Sequence, residues 1–213
     1  MGKRTIRFSL KDIILNYVTE NFNKYLLVIV IFLIGIFTGV IVINNSSEET
    51  AFRTADYVTG FIQTLKNTEK INFSELLLSS VKRNFGLTVI LWFAGTTVIG
   101  IPVVFIILFI RGLSLGYTIS AFTSILGTSK GIMFLILSLF FQNVMFIPAI
   151  LTIGVSSIKL YKSILKDRRK ENIKVEIIRH SILSLIMFGV LILASFIENN
   201  ISFVMLQKMI KYF

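Results

Sequence analysis

Long uncharged apolar runs alternate along this chain with short charged stretches. Four runs, 25–43, 87–110, 131–155 and 181–197, contain no Asp, Glu, Lys or Arg. A helix that crosses a bilayer needs about 20 mostly apolar residues, and each run meets or approaches that length. A fifth run, 112–129, is uncharged but dotted with Ser114, Thr118, Ser120, Thr123 and Ser124. The pattern predicts an all-α fold: a polytopic membrane helix bundle with five spans, at 25–43, 85–110, 112–129, 131–155 and 181–197. For 112–129 the alternative is a re-entrant hairpin, which a bilayer permits only where protein buries it. The first run exceeds the apolar core of a cleaved leader, and Asn44, Asn45, Ser46 and Ser47 follow it where small residues would mark cleavage, so it reads as an uncleaved anchor.

The segments between the spans have patterns of their own. In the loop 44–84, Ser46 and Glu49 have capping-box spacing, and Phe52, Ala55, Val58, Phe61, Ile62 and Leu65 recur at helical intervals behind them. Asn72 and Glu75 repeat the start signal, and Leu76, Leu77, Val81 and Phe85 run on toward the second span. The loop therefore reads as two amphipathic helices with a turn near 67–70. Their apolar faces have two readings: they lie on the membrane or bundle, or they dock a partner. The segment 1–24 holds a further amphipathic pattern in Ile6, Leu10, Ile13, Ile14, Tyr17 and Val18. The loop 156–180 pairs an apolar stripe of Ile158, Tyr161, Ile164 and Leu165 with Lys159, Lys162 and Lys166, which suits anionic lipid on the cytoplasmic face. The tail is 198–213, and one membrane domain accounts for the whole chain.

Charge sets the expected orientation. The net charge is +11, from 22 Lys and Arg against 11 Asp and Glu. With five spans and the N-terminus in the cytoplasm, Lys3, Arg4, Arg7, Lys11, Arg111 and the basic cluster of 156–180 fall inside. Outside lie Lys130, Lys208, Lys211 and the outer loop's Arg53, Lys66, Lys70, Lys82 and Arg83, the loop's five being offset by Glu48, Glu49, Asp56, Glu69 and Glu75. Positive charge on the cytoplasmic side favours this arrangement, with an extracytoplasmic C-terminus. It also absorbs the charge that would otherwise suggest nucleic acid, and no nucleic-acid partner is expected.

Composition removes much chemistry. Hydrophobic types make up 54% of the chain and charged types 15%, well away from an ordinary soluble enzyme. There is no Cys and one His, His180, which reads as a solvated loop residue at the membrane edge. No carboxylate lies inside the runs, and Glu198 marks the end of the last. Paired-carboxylate catalysis, multi-His metal sites and a phosphate-cradling Gly loop are all missing, so neither an enzyme nor a cofactor or metal site is expected.

What remains is packing and a few polar groups. Gly35 with Gly39, and Gly112 with Gly116, form two G-x-x-x-G stripes, read as intramolecular packing or a homodimer seam. Thr96, Thr97, Gly100 and Pro102 predict a kink within the second span. Gln142, Asn143 and Pro148 do the same in the fourth. Arg111 is placed in the turn after the second span, snorkelling to the inner interface or bonding toward Gln142–Asn143.

The stretches 98–102 (VIGIP), 109–118 (FIRGLSLGYT) and 142–149 (QNVMFIPA) together resemble the stage II sporulation protein M family. Gln142-Asn143 stands where the wider superfamily often carries His-Gly followed by a Glu. The resemblance implies a non-catalytic scaffold in the mother-cell membrane. Such a scaffold holds the peptidoglycan-degrading stage II sporulation proteins D and P for septal thinning and engulfment. On that reading Phe52, Tyr57, Phe61 and Phe73 of the outer loop are the contact candidates, since aromatic side chains anchor interfaces. A different class, a small pore or exporter for a neutral solute lined by Thr96, Thr97, Gln142 and Asn143, stands as the alternative.

Overall fold

The computed structural model describes residues 10–67, 73–97, 100–166, 173–202 and 204–206. The fold is all-helical. In chain order the helices are α1 (Leu10–Glu20), α2 (Phe22–Asn44), α3 (Glu48–Asn67), α4 (Phe73–Thr96), α5 (Gly100–Leu126), α6 (Thr128–Leu135), α7 (Phe141–Lys166) and α8 (Ile173–Ile197). A π-helical turn, Ile136–Phe140, joins α6 to α7, and a second, Glu198–Ser202, extends α8. Five helical stretches are long and apolar enough to cross a membrane: Phe22–Asn44, Phe73–Thr96, Gly100–Leu126, Thr128–Leu165 and Ile173–Leu206.

The number of spans is as expected, but the helix boundaries move. The run read as one kinked span at 85–110 is two helices. α4 ends at Thr96 and α5 begins at Gly100, so the chain reverses there. The reversal uses every feature assigned to a kink. The Thr97 N–H and hydroxyl both bond to the Ala94 carbonyl, at 3.2 and 3.1 Å, and the Thr96 hydroxyl bonds to Phe93 O at 2.8 Å. Pro102 falls in the first turn of α5, where a missing N–H costs no hydrogen bond. Arg111 is therefore not in a turn; it stands near the middle of α5, and 112–129 is not a separate span. The break between α5 and α6 falls at Gly127, whose φ of 82° is the left-handed conformation that glycine adopts without strain.

Two further boundaries shift. α3 is capped by Ser47, whose hydroxyl accepts from the Thr50 N–H at 3.4 Å, rather than by Ser46 with Glu49. The basic loop expected at 156–180 is mostly helix: α7 runs to Lys166 and α8 starts at Ile173. The turn near 67–70, the Asn72 start signal, Ile6, Val98, Ile99 and the basic residues 168–170 lie wholly or partly outside the described residues.

One core unites the long helices: Val28 and Phe32 of α2, Leu91 of α4, Val104 and Leu108 of α5, Ile150 and Ile153 of α7, and Leu191 of α8. Outward-facing positions stay apolar, with Phe37 67%, Phe93 63% and Leu185 70% exposed, which is what a helix facing hydrocarbon presents. α2 and α5 pack through their glycines. A Cβ on Gly35 would strike the Phe109 carbonyl, one on Gly39 that of Leu113, one on Gly112 that of Phe32 and one on Gly116 that of Ile36. Both G-x-x-x-G stripes are thus buried against each other's helix within one chain. That contact occupies the homodimer seam considered for them.

A second core lies under α3. Val58, Ile62 and Leu65 bury one face of that helix against Phe122, Phe134, Leu135 and Leu137. A hydroxyl–hydroxyl bond of 2.8 Å between Thr54 and Tyr117 ties α3 to α5. The apolar face of α3 therefore rests on the bundle.

Candidate functional site

The polar groups inside the bundle gather in two places. The first lies in the half of the bundle nearer α3, where the two π-helical turns meet. A π turn rotates the residues that follow it relative to a regular helix, and such turns recur at functional sites. Here one precedes Gln142 and the other begins at Glu198. Gln142 Nε2 donates to Glu198 Oε2 at 2.7 Å, and the Ser80 hydroxyl donates to the same oxygen at 3.1 Å. Arg83 stands 3.6 Å from Glu198 Oε1. The second arginine, Arg111, is half-buried and lies over the Phe146 ring, 5.5 Å from its centroid. Arg83 and Arg111 sit at comparable distances from the α4–α5 turn, so the antiparallel hairpin brings them to one level. Together with Ser114, Thr118, Gln142, Asn143 and Glu198 they line a cavity of about 270 Å³.

The second place is built around His180, and it corrects the sequence reading. His180 is 1% exposed, inside α8 rather than in a loop. Its Nε2 lies 3.3 Å from the Trp92 carbonyl, which can only accept, so Nε2 carries the proton. Its Nδ1 then accepts from the Ser156 hydroxyl at 2.9 Å. Tyr17 of α1 lies beside Ser156, and burial pushes its phenol up to about 12, with Tyr25 adding to the shift. The His180 bonds join α4, α7 and α8, and Tyr17 brings α1 alongside. Gly95 makes room for it: a Cβ there would stand 2.7 Å from His180 Nε2.

Of the residues expected to matter, Arg111, Gln142 and Asn143 share the first cavity. Asn143 bonds back to its own helix at Leu139 O, 2.8 Å away. Thr96, Thr97, Gly100 and Pro102 form the α4–α5 turn, and Pro148 lies inside α7. Phe52 and Tyr57 are each 74% exposed, Tyr57 at the rim of the groove between α3 and the bundle. Phe61 makes edge contacts with Phe122 and Phe134, at 6.5 and 6.4 Å between centroids, so it belongs to the joint between α3 and the bundle. Phe73 begins α4, and its carbonyl accepts from Asn199 Nδ2 at 2.8 Å.

Sequence reasoning missed Ser80, Arg83, Asn84, Ser156 and His180, and took Glu198 only as a span's end. Asn84 is fully buried and donates to Ser195 Oγ at 2.8 Å. For Arg83, Asn84, His180 and Glu198 the available signal was a polar or charged residue just outside an apolar run, which helical continuation carries inward.

A multi-pass helical bundle that carries a partly exposed charged node and a buried histidine defines a class, that of polytopic membrane proteins whose polar groups are brought together by helix packing. The chain belongs to the stage II sporulation protein M family, whose model matches residues 28–203. No curated protein and no solved structure matches the chain.

Proposed function

We propose that this protein is a non-catalytic membrane scaffold of endospore formation, anchoring the peptidoglycan-degrading stage II sporulation proteins D and P for septal thinning and engulfment. Family membership supports the sporulation role. The observation that favours a scaffold is the posture of α3. One face is fixed to the bundle through Val58, Ile62 and Leu65, while Phe52 stands free of it and Tyr57 is exposed at the rim of the groove between α3 and the bundle. Large exposed aromatics on a rigid support are suited to anchoring a partner. In this reading α3 faces the wall, the N-terminus is cytoplasmic and the C-terminus extracytoplasmic. Lys159, Lys162 and Lys166, at the opposite end of the bundle on the last turns of α7, support that orientation.

The test is a tagged pull-down in mild detergent from sporulating and growing cells, using the wild type and a Phe52→Ser, Tyr57→Ser double variant. Recovery of wall hydrolases with the wild type only in sporulating cells, lost in the variant at unchanged thermal stability, is the expected result. Recovery of the same hydrolases by both proteins would remove α3 as the contact. Recovery of none by the wild type would remove the scaffold.

A further inference from the structure

The node of Arg83, Arg111 and Glu198 holds two cations and one anion. Glu198 is engaged by Gln142, Ser80 and Arg83. Arg111 pairs with no carboxylate and no hydrogen-bond acceptor among the described residues; its guanidinium lies over the Phe146 ring. A guanidinium in a membrane span without a counter-charge is costly, and such residues mark ligand or ion paths. The cavity beside it is lined by two guanidinium ions, which match phosphate oxygens in forked pairs, and by the single Glu198 carboxylate, already engaged by Gln142 and Arg83, so cationic charge is in excess there.

This cavity does not stand alone. Arg83, Thr118, Leu139 and Glu198 also wall a second space of about 530 Å³ that runs beneath α3. Its lining there is apolar and aromatic, from Val58, Phe61, Phe122 and Phe134. A cationic chamber opening into an aromatic groove is complementary to one kind of molecule, with an anionic head and a hydrocarbon tail. Its size is within the range of small-ligand sites.

We propose that this chain binds an anionic amphiphile, a phosphate carried on a hydrocarbon chain, with the phosphate between Arg83 and Arg111 and the chain in the groove beneath α3. Two sources share that chemistry, an anionic phospholipid and an isoprenoid phosphate. The proposal does not depend on the scaffold role.

The experiment uses the full chain purified in neutral detergent. Phosphatidic acid, a long-chain polyprenyl phosphate, phosphatidylcholine and inorganic phosphate are each titrated, with thermal unfolding and native mass spectrometry as readouts. At least one anionic amphiphile is expected to form a one-to-one adduct and raise the melting temperature by several degrees. Phosphatidylcholine at the same concentration is expected to do neither. Whichever anionic amphiphile binds more tightly identifies the source. Inorganic phosphate is expected to bind at least about tenfold more weakly, because it buries no chain. Arg111→Gln and Arg83→Gln should each weaken the amphiphile about tenfold or more, roughly the effect of a lost charge-assisted bond. Since Arg111 has no anionic partner in the protein, Arg111→Gln should melt at the wild-type temperature or above without lipid, which separates lost binding from lost folding. Equal binding of phosphatidic acid, polyprenyl phosphate and phosphatidylcholine would overturn the proposal. So would adducts unchanged in both arginine variants, or inorganic phosphate binding as tightly as the amphiphile.

Discussion

Gly39 of α2 lies so close to Leu113 of α5 that a methyl group on it would run into the Leu113 carbonyl oxygen, and would stand 2.7 Å from the Tyr117 amide nitrogen. Backbone cannot retreat as a flexible side chain can. Gly39→Leu or Gly112→Leu should therefore force α2 and α5 apart, at about 1–3 kcal/mol or more of lost stability. Gly60 and Gly86 are helical positions with open space around the missing Cβ. Gly→Ala there should leave stability unchanged or raise it by about 0.5–1 kcal/mol. Thermal unfolding in detergent checks both. If Gly39→Leu changed oligomeric state while the melting temperature stayed put, the stripe would belong to an intermolecular seam instead.

Gln142 and Glu198 form one polar link between α7 and the π-helical turn that extends α8. Replacing either with Leu leaves the other with an unmet donor or a less compensated charge. A double-mutant cycle should return a coupling of about 0.6–1.7 kcal/mol, the range found for hydrogen bonds between membrane helices. Additive single effects would show that the 2.7 Å bond contributes nothing in the membrane protein.

His180 should behave as a structural hub. His180→Leu takes from the buried Ser156 hydroxyl the acceptor of its proton, at a cost of about 1–3 kcal/mol, while the Trp92 carbonyl loses one donor and keeps its place in the α4 ladder. Gly95→Ala should destabilise in the same direction, because its methyl group enters the space of His180 and Ser157. A His180→Leu protein that melts with the wild type would show that the buried imidazole is dispensable.

The α4–α5 turn gives a sharp topological test, aided by the lack of native Cys. With single cysteines and an impermeant thiol reagent, Thr97→Cys and Lys162→Cys should label from one side of the membrane and Gln63→Cys from the other. Arg111→Cys should react far more slowly than Thr97→Cys. Rapid labelling of Arg111→Cys together with protection of Thr97→Cys would move the turn back to Arg111.

Much of the molecule could be read from the chain because hydrophobic length and period are local properties. Apolar runs of bilayer length, the stripe Val58, Ile62 and Leu65, and the two glycine stripes each follow from residue spacing alone. The break at Thr97 was misread for a local reason as well. Thr, Gly and Pro fit a kink and a tight reversal equally, and an uncharged run gives no sign of which one the chain adopts.

The sequence by itself determined that this is an all-helical membrane protein with five spans, no thiol chemistry and one histidine. Bilayer solvation imposes those terms on any chain of this pattern. Only the tertiary structure decided that Arg111 enters a span beside Arg83, that Glu198 receives Gln142 and Ser80, and that His180 is buried on Ser156. Each of these depends on helices far apart in the chain meeting at one level. That level is set by where the turns fall and by the rotation the π-helical turns introduce, neither of which residue spacing within one run can encode.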